Sequence, residues 1–141
     1  MRSSKSGGFT LIELVVVIAI LGILVAIAIP TYLSQMRHSR RSDAITALGT
    51  LSLLQETFRA TNPDYGDTLA EINGTASGTL THYNVTISFV TSNDGTNYVL
   101  TAAAKSGDDQ NNDRSDASNC ASLVLTVVNN SRTKSPTSCW R

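Results

Sequence analysis

One carboxylate, Glu13, stands inside an apolar run that begins at Phe9 and contains, apart from Thr10 and Glu13, no conspicuously polar residue before Pro30. A charge in a stretch able to cross a bilayer is costly, so it needs a partner. Residue types offer one locally. Thr10-x-x-Glu13 has capping-box spacing: the hydroxyl and the carboxylate satisfy free N–H groups at a helix start, and the helix dipole favours an acid there.

Three further clusters carry chemistry-bearing residues. Asp109-x-Asn111-x-Asp113 alternates oxygen ligands as calcium loops do, but Arg114 stands where such a loop wants Gly and no Glu closes it; a solvated acidic loop is the other reading. Arg132, Lys134 and Arg141, with Trp140 adjacent, combine phosphate-seeking cations with a stacking ring, a candidate DNA contact, against an ordinary surface. Arg37, His38, Arg40 and Arg41 read as a solvated juxtamembrane face or as subunit-to-subunit pairing. His38 and His82 fall in different elements, and no nucleophile motif, phosphate loop or His/Cys metal spacing occurs. No catalytic residue and no cofactor is therefore assigned, and the chain is not expected to be an enzyme.

These residues need elements to position them. The 141-residue chain has room for one domain, and its formal charge is zero. Loss of a leader through Gly8 would remove Arg2 and Lys5 and leave the product near −2, with 9 basic against 11 acidic residues and no global basic field. Phe9 to Ile29 is 21 residues, roughly 31 Å of helix, about one hydrocarbon core. Arg2 and Lys5 precede it, which keeps the leader inside and sends the rest outward. A secretory signal peptide cut after Ala26-Ile27-Ala28 competes, but the run exceeds a usual h-region and carries Glu13. A plain membrane anchor is the third reading. Pro30 and Gly22 are weak points in the helix; Pro30 predicts a kink or local melting, because helical periodicity resumes beyond it.

Residues 31 to 60 read as an amphipathic helix with an apolar stripe at Ala44, Leu48, Leu51, Leu54 or Gln55, and Phe58, widened by Ile45 and Ala47. Arg37, Arg40, Arg41, Asp43, Glu56 and Arg59 supply the polar faces. Asn62-Pro63-Asp64 ends the helix, and 61–82, rich in Thr, Gly, Asn and Ala, reads as a long surface loop. Strand candidates are 83–90, 98–104 and 123–128, with the turn Ser92–Asn97 containing Asp94-Gly95. The expected fold class is α+β: a long N-terminal helix, hydrophobic in its first half, packed on an antiparallel sheet of three to four strands. A polar, acidic loop spans Gly107 to Asp116.

The string Gly7-Gly8-Phe9-Thr10-Leu11-Ile12-Glu13-Leu14 resembles the N-terminus of type IV pilins, the N-methylphenylalanine family with a class III signal, and of the related secretion pseudopilins. The resemblance implies a prepilin peptidase that cuts after Gly8 and methylates the Phe9 amine. It also implies filament assembly in which Glu13 meets the Phe9 amine of a neighbouring subunit. Tyr98-x-Leu100-Thr101-Ala102, Cys120-x-x-Leu123-x-Leu125 and Cys139-Trp140-Arg141 are similar to small PilE-type minor pilins and DNA-uptake pilins, although no Gly occurs between Thr126 and Ser138. In an exported chain Cys120 and Cys139 are expected to pair, closing a loop of 19 positions for about 3 kcal/mol.

The implied organisation is leader 1–8, membrane and filament-core helix 9–30, amphipathic half 31–60 and head 61–141. The implied partners are other pilin subunits, the inner membrane, the peptidase, the pilus assembly platform and, as a candidate, DNA. The implied location is the inner membrane, single pass with a periplasmic head, then an extracellular pilus serving adhesion, twitching motility or DNA uptake. A type II secretion pseudopilin and a DNA-receptor pilin are the alternatives; one pseudopilin class carries calcium in its head.

Overall fold

The computed structural model describes residues 8–91 and 95–141. Most of the leader and the Ser92–Asp94 part of the expected turn lie outside them. The chain forms two compact units, Met1–Gln35 and Met36–Arg141.

Helix α1 is Leu11–Arg59, with Pro30 inside its bounds. The α1 residues of the first unit are exposed throughout, so no part of that apolar stretch is covered by its own chain. The helix is long and apolar enough there to cross a membrane.

In the second unit, α1 buries Arg41, Ala44, Ala47, Leu48, Leu51, Ser52 and Gln55. The spacing of these residues places them on one face. That face lies on a four-stranded antiparallel sheet of order β1-β2-β5-β6, with β1 Tyr83–Ser88, β2 Asn97–Ala104, β5 Ser122–Val128 and β6 Ser131–Ser135. The register aligns Tyr98 with Val127, Leu100 with Leu125 and Ala102 with Leu123, all buried, so one sheet face meets the helix. Each fully buried Leu there contributes about 1.5–3 kcal/mol. A two-residue pair, β3 Arg114–Ser115 and β4 Ser118–Asn119, and a short helix α2, Thr75–Gly78, complete the unit. The expected class, α+β with a long helix on an antiparallel sheet, is the one found.

One expectation is corrected. Residues 61–82 are not merely a surface loop: Tyr65 and Ile72 are buried in the core. The buried Gln55 amide draws this segment in, donating to Gly66 O at 2.8 Å and accepting from Gly66 N at 2.9 Å. A Cβ on Gly66 would collide with Ile72, so glycine is required at this close approach.

The fourth strand, β6, carries no apolar alternation. It is recruited by the turn Asn129-Asn130, whose φ values of 47° and 65° do the work of the missing glycine. Because β6 pairs Arg132 with Val127 and Lys134 with Leu125, both cations lie on the helix-side face at the sheet edge. Such inward-pointing charges protect an edge strand from further pairing.

Candidate functional site

At the start of α1, the Glu13 N–H donates to Thr10 Oγ1 at 3.3 Å, and the Leu14 N–H donates to Thr10 O at 3.3 Å. The backbone half of the capping arrangement is thus present. Among the described residues the Glu13 carboxylate has no partner. Phe9 is 85% exposed, and a Cβ on Gly8 or Gly22 would meet nothing. Pro30 lacks the N–H that would serve the Ala26 carbonyl. One residue on, the Thr31 hydroxyl donates to Ile27 O at 3.3 Å.

The arginines after the apolar run are not a solvated face. Each meets an aspartate from the segment that follows β2. Arg37 donates to both oxygens of Asp109, Nε to Oδ2 at 2.8 Å and Nη2 to Oδ1 at 3.0 Å. Arg40 lies 4.0 Å from Asp108 Oδ1. Arg41 Nη1 reaches Asp113 Oδ2 at 3.1 Å, with each side chain 4% exposed. His82 Nδ1 is 2.8 Å from Asp108 Oδ2, and the buried Gln110 donates its Nε2 to Asp113 Oδ2 and to the Arg37 carbonyl, both at 3.0 Å.

Local backbone presents these acids. Gly107 at φ 77° turns the chain, and Asp108 caps the 3-10 helix Asp109–Asn112 by accepting from the Gln110 N–H at 2.9 Å. That N–H bond, then the contact with His82, holds the Asp108 carboxyl below the usual carboxylate range. The Arg37 hydrogen bond does the same for Asp109, and the same bond raises the Arg37 guanidinium.

Asp109, Asn111 and Asp113, the oxygen donors of the calcium reading, already have partners within the head. The two carboxylates serve Arg37 and Arg41, and the Asn111 amide donates to the carbonyls of Lys105 and Asp108. Among the described residues no His/Cys/Asp/Glu cluster suits a metal ion. Sequence reasoning passed over Asp108, His82 and Gln110. The available signal was the match of three arginines within one helical turn and a half to three aspartates within one short segment.

Cys120 and Cys139 are joined by a disulfide with Cα atoms 5.6 Å apart. It fastens the terminal 3-10 helix Thr137–Trp140 beside β6. Of the candidate DNA-contact residues, Lys134 Nζ lies 5.1 Å above the Trp140 ring, Arg132 lies 3.8 Å from Glu56, and Arg141 lies 3.9 Å from Asp116. Two of the three cations thus have an acid nearby.

Residues 3–29 match the prokaryotic N-terminal methylation motif. Residues 30–124 match the family described as "Type IV minor pilin ComP, DNA uptake sequence receptor". The chain belongs to the type IV pilin family. This pilin is 41% identical over 108 residues to the fimbrial protein EcpC of Eikenella corrodens, covering 75% of its own chain and 67% of that relative. It is 44% identical over 68 residues to the type IV major pilin protein PilA of Myxococcus xanthus, covering 48% and 31%. It is 36% identical over 105 residues to a fimbrial protein of Neisseria meningitidis, covering 74% and 58%. The pilin spans between about a third and two thirds of the length of these relatives. The segment matching the receptor family stops before Arg132, so the match does not include the basic C-terminal residues.

Proposed function

We propose that this pilin is a structural subunit, major or minor, of a type IV pilus, and that it assembles through its hydrophobic N-terminal helix. The observation that carries this reading is an α1 segment that is apolar on every side, uncovered by its own chain, and marked near its start by one carboxylate without a partner among the described residues. In this reading a prepilin peptidase removes leader 1–8 after Gly8 and methylates the Phe9 amine. Residues 9–30 hold the subunit in the inner membrane, single pass, with 31–60 and the head 61–141 in the periplasm.

At the assembly platform the helix leaves the bilayer and enters a bundle of other pilin subunits. Glu13 there neutralises the Phe9 amine of its neighbour, which selects the correct register because any other leaves a buried charge unpaired. Gly22 and Pro30 let the helix adjust. The extracellular pilus then serves adhesion, twitching motility or DNA uptake; a secretion pseudopilus is the related alternative. The role is structural, not enzymatic.

The test is Glu13→Gln expressed beside the wild type. Membrane levels should be equal, while the variant's share of sheared filaments should fall about tenfold or more. Equal incorporation would remove the assembly role of Glu13.

A second reading, a DNA-receptor pilin, is favoured by the match of residues 30–124 to a receptor family. Its candidate contacts are Arg132, Lys134, Trp140 and Arg141. Replacing Arg132, Lys134 and Arg141 by Ala should lower the log–log salt slope of duplex binding by about 3. A variant that binds as wild type at matched salt excludes this surface.

A further inference from the structure

Arg37, Arg40 and Arg41 follow Pro30 by 7, 10 and 11 residues. So few residues tether the arginines to the end of the apolar run, and a long arginine stem lets its charged head reach a headgroup layer. If the apolar run spans a bilayer, as proposed above, the Arg37 and Arg40 guanidinium groups come within reach of the phosphate layer. Near an anionic leaflet each such cation gains about fivefold in membrane affinity. On the proposed orientation they also stand on the side where cations near a span are ordinarily few.

The head supplies the counter-charges. Asp109 offers Arg37 two oxygens at 2.8 and 3.0 Å, the same forked geometry that two phosphate oxygens present. Asp108 holds Arg40 more loosely, at 4.0 Å. These two pairs are partly open: the arginine side chains are 21% and 26% exposed. An exposed pair of this kind is worth about two- to fivefold, which is the same size as the lipid attraction, so the aspartates decide which partner wins. Arg41 differs, because it is buried against Asp113 and out of any competition. The acids come from about 70 positions along the chain (the hydrogen-bonded pair Arg37 and Asp109 are separated by 72 residues), so they reach the arginines only once the head has folded.

We propose that Asp108 and Asp109 form a shield that keeps Arg37 and Arg40 off the phosphates of anionic phospholipid headgroups. Folding of the head then neutralises the membrane-proximal part of α1, and the finished subunit leaves an anionic bilayer without breaking arginine–phosphate contacts. This rests on the membrane-anchored reading above.

The experiment uses the full chain reconstituted in phosphatidylcholine vesicles containing spin-labelled phosphatidylglycerol or spin-labelled phosphatidylcholine. Electron paramagnetic resonance measures the selectivity of the protein-contacting lipid for one over the other. Leader charges are common to all variants and cancel in the ratio to wild type.

Asp108→Asn/Asp109→Asn should raise phosphatidylglycerol selectivity about fivefold over wild type, and added salt should abolish the difference. Adding Arg37→Gln/Arg40→Gln should return it to the wild-type value. Asp109→Asn alone should give a smaller rise, and its near-ultraviolet circular dichroism should remain native. Unchanged selectivity in the aspartate variants, or a rise that survives removal of the arginines, overturns the shield. If no variant restricts any lipid, the anchored reading fails, and the shield with it.

Discussion

Replacing Arg41 by Met should destabilise the head by about 3–5 kcal/mol, because it leaves the Asp113 carboxylate buried without its counter-ion. Both side chains are 4% exposed and 3.1 Å apart. Of the remaining side chains, Gln110 reaches the same Asp113 oxygen, at 3.0 Å, and one amide does not compensate a buried charge. For the unit Met36–Arg141, 106 residues, such a loss lowers Tm by about 12–20 °C. It also consumes a fifth or more of the roughly 5–15 kcal/mol that a domain has.

Arg41→Met/Asp113→Leu removes both charges and should recover more than half of the loss, since an apolar replacement of a buried pair is often neutral. The recovery stays incomplete because Gln110 loses its acceptor, at about 1–3 kcal/mol. The assay is urea unfolding of the full chain in detergent micelles with the disulfide intact, followed by Trp140 fluorescence, for wild type, both single variants and the double variant. Coupling of about 2 kcal/mol or more is expected. A single-variant loss below about 1 kcal/mol, or two losses that simply add, would show that the pair behaves as a surface pair and would refute the reasoning.

Two other expectations concern the same head. Asn130→Val forces a β-branched residue to φ 65° and should cost about 1–3 kcal/mol, whereas Asn130→Gly should be close to neutral in the same unfolding assay. Stability should also fall at both pH extremes. The folded-state pKa values of Asp108 and Asp109 are depressed, so their contribution is full above the ordinary carboxylate range, near pH 4, and is lost as pH drops through the lower folded values. Burial pushes Tyr83 and Tyr98 up to about 12. Their contribution is full below the ordinary value near 10 and is lost between there and about 12. Tyrosinate absorbance at high pH should therefore rise together with loss of near-ultraviolet circular dichroism. Ionisation of every tyrosine before any unfolding would contradict this.

Much of this protein is legible in its residues because the deciding patterns are local. An uninterrupted apolar run from Phe9 to Ile29 with one acid at Glu13 is a property of neighbours, and so are the helical stripe through Ala44, Leu48 and Leu51 and the alternation in β1, β2 and β5. Backbone periodicity converts each directly into an element and a buried face. The family string at Gly8–Glu13 is equally local.

What tertiary structure alone decided depends on residues far apart in the chain. Arg37 and Arg41 read as surface cations until Asp109 and Asp113, 72 positions away, are brought against them. Gln55 reads as polar until its amide closes on the Gly66 peptide. Tyr65 and Ile72 lie in a segment of turns with no regular element of its own, so it is the core they reach, not a local period, that buries them. Strand β6, with its exposed Ser131–Ser135, exists because β5 offers an open edge and Asn129-Asn130 turn the chain onto it. A charge or a polar strand is stable in such places only if its partner is already there, and a local pattern contains no record of a partner contributed by a distant segment.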